Sequence, residues 1–415
     1  MENFIVINDV AKTEKRLDVS WEIKGEIAEA LDISCPLFFE YSKEIAAVPD
    51  SIAVIPFICN VLPMVWIYDA KLIVKKLDSS FYNCIANIKK GYQEMYPEAE
   101  LKGTIIVEEL VDNTFAAKQQ RAVLFSGGVD SYATLLSHLE EKPHLITLIG
   151  ADIDLYDIEG SKRLQILAAE TAGKFALENV VITSSFRRCL KEKILNRKIS
   201  KHKIGYWSGF QHGIAICGQA FPYAYQNNID IIYIASSYSS DTPQGTYASA
   251  SDPIIDNHLR FASGRVVHDG YYEFTRQTKV KYIHEFSASH ALPLELHVCW
   301  QSRGGRNCSH CEKCYRTMFA LLLEGADPNN YGFVYSTRTQ FFIKWFLKYV
   351  LLFDAANIVS WQRLQSTFGS KKELAANKEL NWIAAIDFKK MNETPLKKIR
   401  LLLSIQKIII RLLQS

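Results

Sequence analysis

Short apolar runs separated by polar stretches of helix length set the rhythm of residues 116–335. RAVLF (121–125), HLITLIGA (144–151), NVVIT (179–183) and DIIYIAS (230–236) have the length and β-branched content of strands buried on both faces. Helical stretches at 161–177 and 207–220 lie between them. Such alternation predicts an α/β region with a parallel sheet and helices on both faces, where ligands bind beyond the carboxyl ends of the strands.

The residues before it read differently. FIVIND (4–9), CPLFFEY (35–41), MVWIYD (64–69) and GTIIVEEL (103–110) are strand-like, and one helical stretch lies near 81–96, which predicts a small α+β domain over 1–115. The longest apolar run, IAVIPFICNVLPMVWIY (52–68), is interrupted by Pro56, Asn60 and Pro63. It is short for a membrane helix, and its β-branched and aromatic residues predict two buried strands joined by a turn.

Residues 336–415 read as a helical extension. In FFIKWFLKYVLLF (341–353), Lys344 and Lys348 share one face. Thr394 and Pro395 make an N-cap and N1 pair, after which Lys397, Arg400, Ser404, Lys407 and Arg411 fall on one stripe. That basic amphipathic helix docks on the protein's own core or, alternatively, binds a membrane surface or a partner.

With 415 residues the chain exceeds one ordinary core, which agrees with three regions. A net charge of +3 is too small to indicate a nucleic-acid surface. The first residues lack the pattern of a secretory leader, so a cytoplasmic location is expected, where cysteines stay thiols or bind metal.

Two stretches carry chemistry. In SGGVDS (126–131) a strand passes through Gly127 and Gly128 into a helix, a junction that points backbone N–H groups and the positive end of a helix dipole into one concavity. Ser126 and Ser131 can add hydrogen bonds to phosphate oxygens, whereas Asp130 would repel a bare phosphate and so either caps the helix or helps hold Mg²⁺. The second stretch, CWQSRGGRNCSHCEKC (299–314), places Cys299, Cys308, Cys311 and Cys314 at the spacing of a tetrahedral Zn²⁺ site, with the following helix starting near Glu312. Four thiolates leave no position for water, so such a metal is structural, and His310 reads as a loop residue between ligands.

SGGVDS, the C-x8-C-x2-C-x2-C cluster, Arg316 and GADP (325–328) together resemble the 7-cyano-7-deazaguanine synthase (QueC-like) family of PP-loop ATP pyrophosphatases over roughly residues 120–330. SGGVDS is shared across the PP-loop superfamily, and the cysteine cluster narrows the resemblance to the QueC-like branch. Against a housekeeping member, 1–115 and 336–415 are additions, and SDPIIDNHLRF (251–261) and HDGYYEFTRQTKVKYI (268–283) depart from the usual text. The enlarged form is similar to QueC-like members found in bacterial anti-phage gene clusters.

The resemblance implies ATP, Mg²⁺ and Zn²⁺ as cofactors and a carboxylate such as 7-carboxy-7-deazaguanine as substrate, activated by transfer of AMP. Ser126, Ser131 and the N–H groups of Gly127 and Gly128 would hold phosphates while Asp130 and Mg²⁺ neutralise the departing pyrophosphate. Lys279 or Arg276, in TRQTK, would reach the phosphates from an opposite loop, and Asp252 and Asp256 would contact a purine-like base or Mg²⁺. The expected acceptor is an amine on a partner protein encoded nearby. Ammonia-using deazapurine biosynthesis, a PP-loop tRNA-modifying enzyme and a scaffold without chemistry are the alternatives.

Overall fold

The computed structural model describes residues 2–116, 118–242, 249–299, 301 and 304–393. They divide into two compact units, one drawn from Met1–Ser237 and Ala248–Tyr271, the other from Tyr238–Tyr247 and Tyr272–Ser415. The boundaries expected at 115 and 335 each fall inside a unit.

The first unit carries one mixed sheet. Its strands are β1 (Phe4–Lys12), β2 (Arg16–Lys24), β3 (Phe38–Tyr41), β4 (Lys71–Asp78), β5 (Thr104–Val111), β6 (Gln120–Leu124), β7 (His144–Ile149), β8 (Asn179–Ser184), β9 (Ile229–Ala235), β10 (Arg260–Phe261) and β11 (Gly264–Asp269). They are ordered β10-β11-β9-β6-β7-β8-β3-β2-β1-β4-β5. The four apolar runs expected between 121 and 236 are β6 to β9, parallel to one another, with β11 parallel to β9. At the other end β3 pairs antiparallel with β8, Phe39 opposite Ser184, so the strands of the first 111 residues extend the same sheet. Their apolar faces share its core: Ile5, Phe39 and Leu72 belong to one buried cluster with Leu124, Ile182 and Ile232.

The run 52–68 corrects a sequence expectation. It is helical, Asp50–Ala53 followed by Ile55–Ile67, and MVWIYD is not a strand. Every residue from Ile55 to Trp66 is buried. A helix covered on all sides needs no polar stripe, so its period of 3.6 is invisible and its branched residues mimic a strand. Pro56 sits in the first turn, where a missing N–H costs nothing. Buried Asn60 is satisfied: its Nδ2 donates to the Pro56 carbonyl (2.8 Å) and its Oδ1 accepts from Gln211 Nε2 (3.1 Å).

This helix packs against His212–Gln226, and Gly218 sets the approach, because an added Cβ there would lie 2.4 Å from Cys59 Sγ. Gly218→Ala should therefore destabilise the protein by about 1–3 kcal/mol through overpacking, read as a lowered urea midpoint with an unchanged slope. An unaltered midpoint would show that the two helices part at no cost.

The remaining helices of the first unit lie close to expectation. Ser79–Met95 is capped by Asp78, whose Oδ2 accepts from the N–H groups of Phe81 and Ala262, both at 2.9 Å. Ile158–Phe175 is capped by Asp157. The stretch expected at 207–220 opens with a π-turn, Trp207–Gln211, and continues to Gln226.

In the second unit the helices Arg276–Ser289, Glu312–Leu323, Thr337–Tyr349 and Ala355–Ser370 pack together. Trp361, Leu364 and Phe368 form the buried stripe of the last, and Phe319 lies 6.0 Å from Trp361 between ring centroids. Tyr315 meets Phe346 edge-on at 5.3 Å. Residues beyond 336 thus build on the helix that follows the cysteines. No helix among the described residues is long and apolar enough to cross a membrane. The basic amphipathic segment expected from Thr394 onward lies outside the described residues.

Candidate functional site

The chain runs through β6, β7 and β8 in one direction across the sheet and then returns to place β9 on the other flank of β6. Strand order reverses beside β6, and the crevice beyond the carboxyl ends at such a point is the usual ligand position in doubly wound sheets. SGGVDS leaves β6 there. Gly127 has φ 72°, a left-handed conformation that a side chain would strain, and Gly128 is the N-cap of Val129–Ser137. The hydroxyls of Ser126 and Ser131 lie 3.3 Å apart. Ser131 Oγ accepts from the Ser126 N–H (3.3 Å) and donates to the Gly128 carbonyl (3.1 Å), which holds the turn closed.

Asp130 is not the cap. It occupies the second position of the helix, in the first turn, where a carboxylate faces the positive end of the helix dipole. Behind the turn, Asp269 at the end of β11 ties the same helix down: Oδ2 accepts from Thr134 Oγ1 (2.7 Å) and Oδ1 lies 2.8 Å from His138 Nε2. Glu141 Oε1 is 2.6 Å from the other imidazole nitrogen, and the Tyr233 ring stacks on His138 at 3.8 Å.

Burial draws the His138 pKa down, but the hydrogen bonds and charges of Asp269 and Glu141 outweigh it, and the net shift is upward from 6.5. A raised folded-state pKa stabilises fully below the unfolded value, and that contribution fades as pH rises through the folded pKa. Wild-type protein should accordingly lose stability from about pH 6 to pH 8 relative to His138→Asn. Parallel pH profiles of melting temperature for the two proteins would exclude the ion-pair role.

Four residues absent from the sequence reading gather at the neighbouring carboxyl ends of β7 and β8. Asp152 Oδ1 accepts from Trp207 Nε1 (3.1 Å), and its Oδ2 lies 3.5 Å from His212 Nε2. The Arg187 guanidinium sits 4.4 Å above the Trp207 ring. Partial desolvation by the surrounding protein would raise the Asp152 pKa, but His212, Trp207 and Arg187 hold it well below the usual carboxylate value; His212 is in turn raised by Asp152 against its own desolvation. The Asp152 carboxylate stays ionised and 61% exposed, able to accept hydrogen bonds from a ligand. Gly150 makes the preceding turn at φ 87°, packed against the Ser184 carbonyl. In sequence Asp152 and Arg187 are marked only by following strands, and Trp207 and His212 only by opening a helical stretch.

Other expected residues take different places. Asp252 caps the short helix Pro253–Asp256 by accepting from the Ile254 N–H (3.0 Å). Asp256 is wholly buried, its Oδ2 bonded to His268 Nδ1 (2.9 Å) and Ser251 Oγ (2.8 Å), so it does not present a carboxylate to a base. Arg276 and Lys279 lie not in a loop but on the first turn of Arg276–Ser289, in the second unit, with Thr275 and Thr278 forming a capping box and Lys279 buried.

The four cysteines do come together. The Sγ atoms of Cys299, Cys308, Cys311 and Cys314 all lie within 4.8 Å of one another, with Cys299–Cys311 at 3.9 Å and Cys308–Cys314 at 3.8 Å. Tetrahedral zinc with Zn–S of about 2.3 Å has sulfur–sulfur edges of about 3.8 Å. Cys311 is the N-cap of Glu312–Leu323 and Cys314 lies in its first turn, so the helix start presents two sulfurs. Hydrogen bonds from Cys299, Cys311 and Cys314 hold Cys308 far below an ordinary thiol, while those from Cys299 and Cys308 push Cys311 up. Four sulfurs this close become thiolates together only around a cation.

Asn307, which sequence reasoning missed, frames the centre. Its Oδ1 accepts from the N–H groups of Val298 (3.0 Å) and Cys299 (3.3 Å), and its Nδ2 donates to the carbonyls of Leu296 (2.7 Å) and Gly332 (3.0 Å). His310 bonds the Cys308 carbonyl through Nδ1, as a loop residue between ligands does.

Fold and cluster define a class: an α/β protein with a large, mostly parallel mixed sheet and a four-cysteine cluster that could hold a metal such as zinc. Beyond that class, no protein-family model, curated protein or solved structure matches the chain.

Proposed function

We propose that the protein is a QueC-like, AMP-forming ligase that activates a 7-carboxy-7-deazaguanine-like carboxylate with ATP and passes the acyl group to an amine on a partner protein in an anti-phage system, with a structural zinc at the cysteine cluster. The observation that carries the reading is the position of SGGVDS, beyond the carboxyl end of β6 where strand order reverses, with glycine at the left-handed residue.

The residues present suit that chemistry. The Gly127 and Gly128 N–H groups and the hydroxyls of Ser126 and Ser131 would hold phosphate oxygens, and Asp130 would hold Mg²⁺, which supplies charge neutralisation as pyrophosphate departs. The substrate carboxylate oxygen attacks the α-phosphorus, and the bond from that phosphorus to the β-bridging oxygen breaks. A neutral amine then attacks the activated carbonyl, AMP leaves, and an amide remains. An N-terminal α-amine, with pKa near 8, supplies more neutral amine than lysine at neutral pH. Asp152 and Trp207 offer an ionised acceptor and an aromatic face beside the turn for a guanine-like edge.

Two measurements test the reading. With ATP and the deazaguanine carboxylate, AMP and pyrophosphate should accumulate; ADP with inorganic phosphate would reject it. Coexpression with genomic neighbours should yield one neighbour heavier by a single deazaguanine acyl group, only when Asp130 is intact. Unmodified neighbours together with free nitrile made from ammonium would replace the protein acceptor with ammonia.

A further inference from the structure

A cavity of about 660 Å³ lies on the opposite side of the sheet's strands from SGGVDS. Its rim follows from topology. Gln120 and His144 begin β6 and β7, Glu178 precedes β8 and Asn228 precedes β9, so these residues lie at the amino ends of the parallel strands. Lys43 follows β3, which runs antiparallel to β8, and Lys15 sits in the turn joining β1 to β2, so both reach the same rim.

The volume is that of a small-molecule site, but its lining is polar where such sites are mainly apolar. Three lysines, Lys15, Lys43 and Lys118, and two carboxylates, Glu44 and Glu178, line it. Lys43 is paired with Glu178 at 3.0 Å; among the described residues Lys15 and Lys118 have no acidic partner. The amides of Gln120 and Asn228 add donors, and His144 is held by the Tyr223 hydroxyl at 2.8 Å from Nδ1. A bowl rich in donors, with Lys15 and Lys118 outnumbering the one carboxylate not paired to Lys43, Glu44, and with little apolar wall, selects a ligand by negative charge and oxygen acceptors.

We propose that this cavity is a second ligand site, distinct from the SGGVDS turn, for a small molecule carrying two or more linked phosphates. Lys15 and Lys118 are two separate cations able to meet more than one anionic group, and the scarcity of apolar surface leaves the phosphates to supply the affinity. The site stands whether or not the chain turns over ATP.

Calorimetric titration of the full chain with inorganic tripolyphosphate at near-physiological salt tests this. Gly127→Ala, which disables the SGGVDS turn, should still bind it, and adding Lys15→Glu and Lys118→Glu to that background should weaken binding at least about ten-fold through loss of charge-assisted hydrogen bonds. Both lysines are exposed, so the lysine variant with Gly127 intact should melt like wild type and turn over ATP unchanged. A parallel titration with ATP in the Gly127→Ala background identifies the source. Tighter binding than tripolyphosphate marks a nucleotide, and weaker or equal binding an inorganic or non-nucleotide phosphate, provided the two lysine changes in the Gly127→Ala background abolish either signal. No binding of tripolyphosphate, or loss in Gly127→Ala with retention in the lysine variant, overturns the site.

Discussion

Protein purified without chelator should contain one zinc per chain, and Cys311→Ser should lose both the metal and the folded state of the second unit. Cys311 caps the helix Glu312–Leu323, and that helix carries the ring contacts of Tyr315 and Phe319 to the two helices that follow. Removing one sulfur therefore withdraws the anchor of the unit's central helix. Binding of structural zinc in small sites is worth about 10–16 kcal/mol at neutral pH, as much as a whole domain's stability of about 5–15 kcal/mol. Elemental analysis and limited proteolysis read the outcome. Less than half an equivalent of zinc in wild type, or a metal-free Cys311→Ser protein as protease-resistant as wild type, would reject a structural zinc centre.

Asp130→Asn and Ser126→Ala should each slow ATP cleavage to AMP and pyrophosphate by about 10²- to 10³-fold, the usual cost of one preorganised electrostatic contact. Asp130→Asn keeps shape and removes charge, so its effect reports on the cation at the departing pyrophosphate. Ser126 is exposed at the mouth of the turn, and its loss should leave the melting temperature nearly unchanged. The partition matters as much as the size: lost Mg²⁺ handling should fall on kcat and be eased by raised Mg²⁺ in Asp130→Asn alone. Unchanged turnover in both variants would place the chemistry elsewhere.

Much of this was legible before any coordinates. RAVLF, HLITLIGA, NVVIT and DIIYIAS are strands because uninterrupted branched apolar residues of that length suit a sheet covered on both faces. The cysteine cluster was legible for a related reason, since C-x2-C-x2-C confines three sulfurs to one knuckle whatever the rest of the chain does. The helical stretches near 81–96 and 161–177 were legible too, although their starts at the caps Asp78 and Asp157, three to four residues earlier, appear only in the structure.

Other features depended on partners far along the chain. The helix Ile55–Ile67 looks like strand until it is known to be enclosed, with Gly218 admitting it and Gln211 satisfying Asn60. Asp256 looks like a loop carboxylate until His268 and Ser251 close over it, and Asp152 looks like any loop aspartate until Trp207 and His212 arrive. By itself the sequence determined four strands of the parallel region, β6 to β9 but not β11, together with the glycine turn and the metal-ligating spacing, because each is specified by neighbours within one turn or one knuckle. Only the tertiary structure decided that the first 111 residues extend the same sheet and which carboxylates face solvent, because pairing and desolvation are set by residues that chain folding, not sequence proximity, brings together.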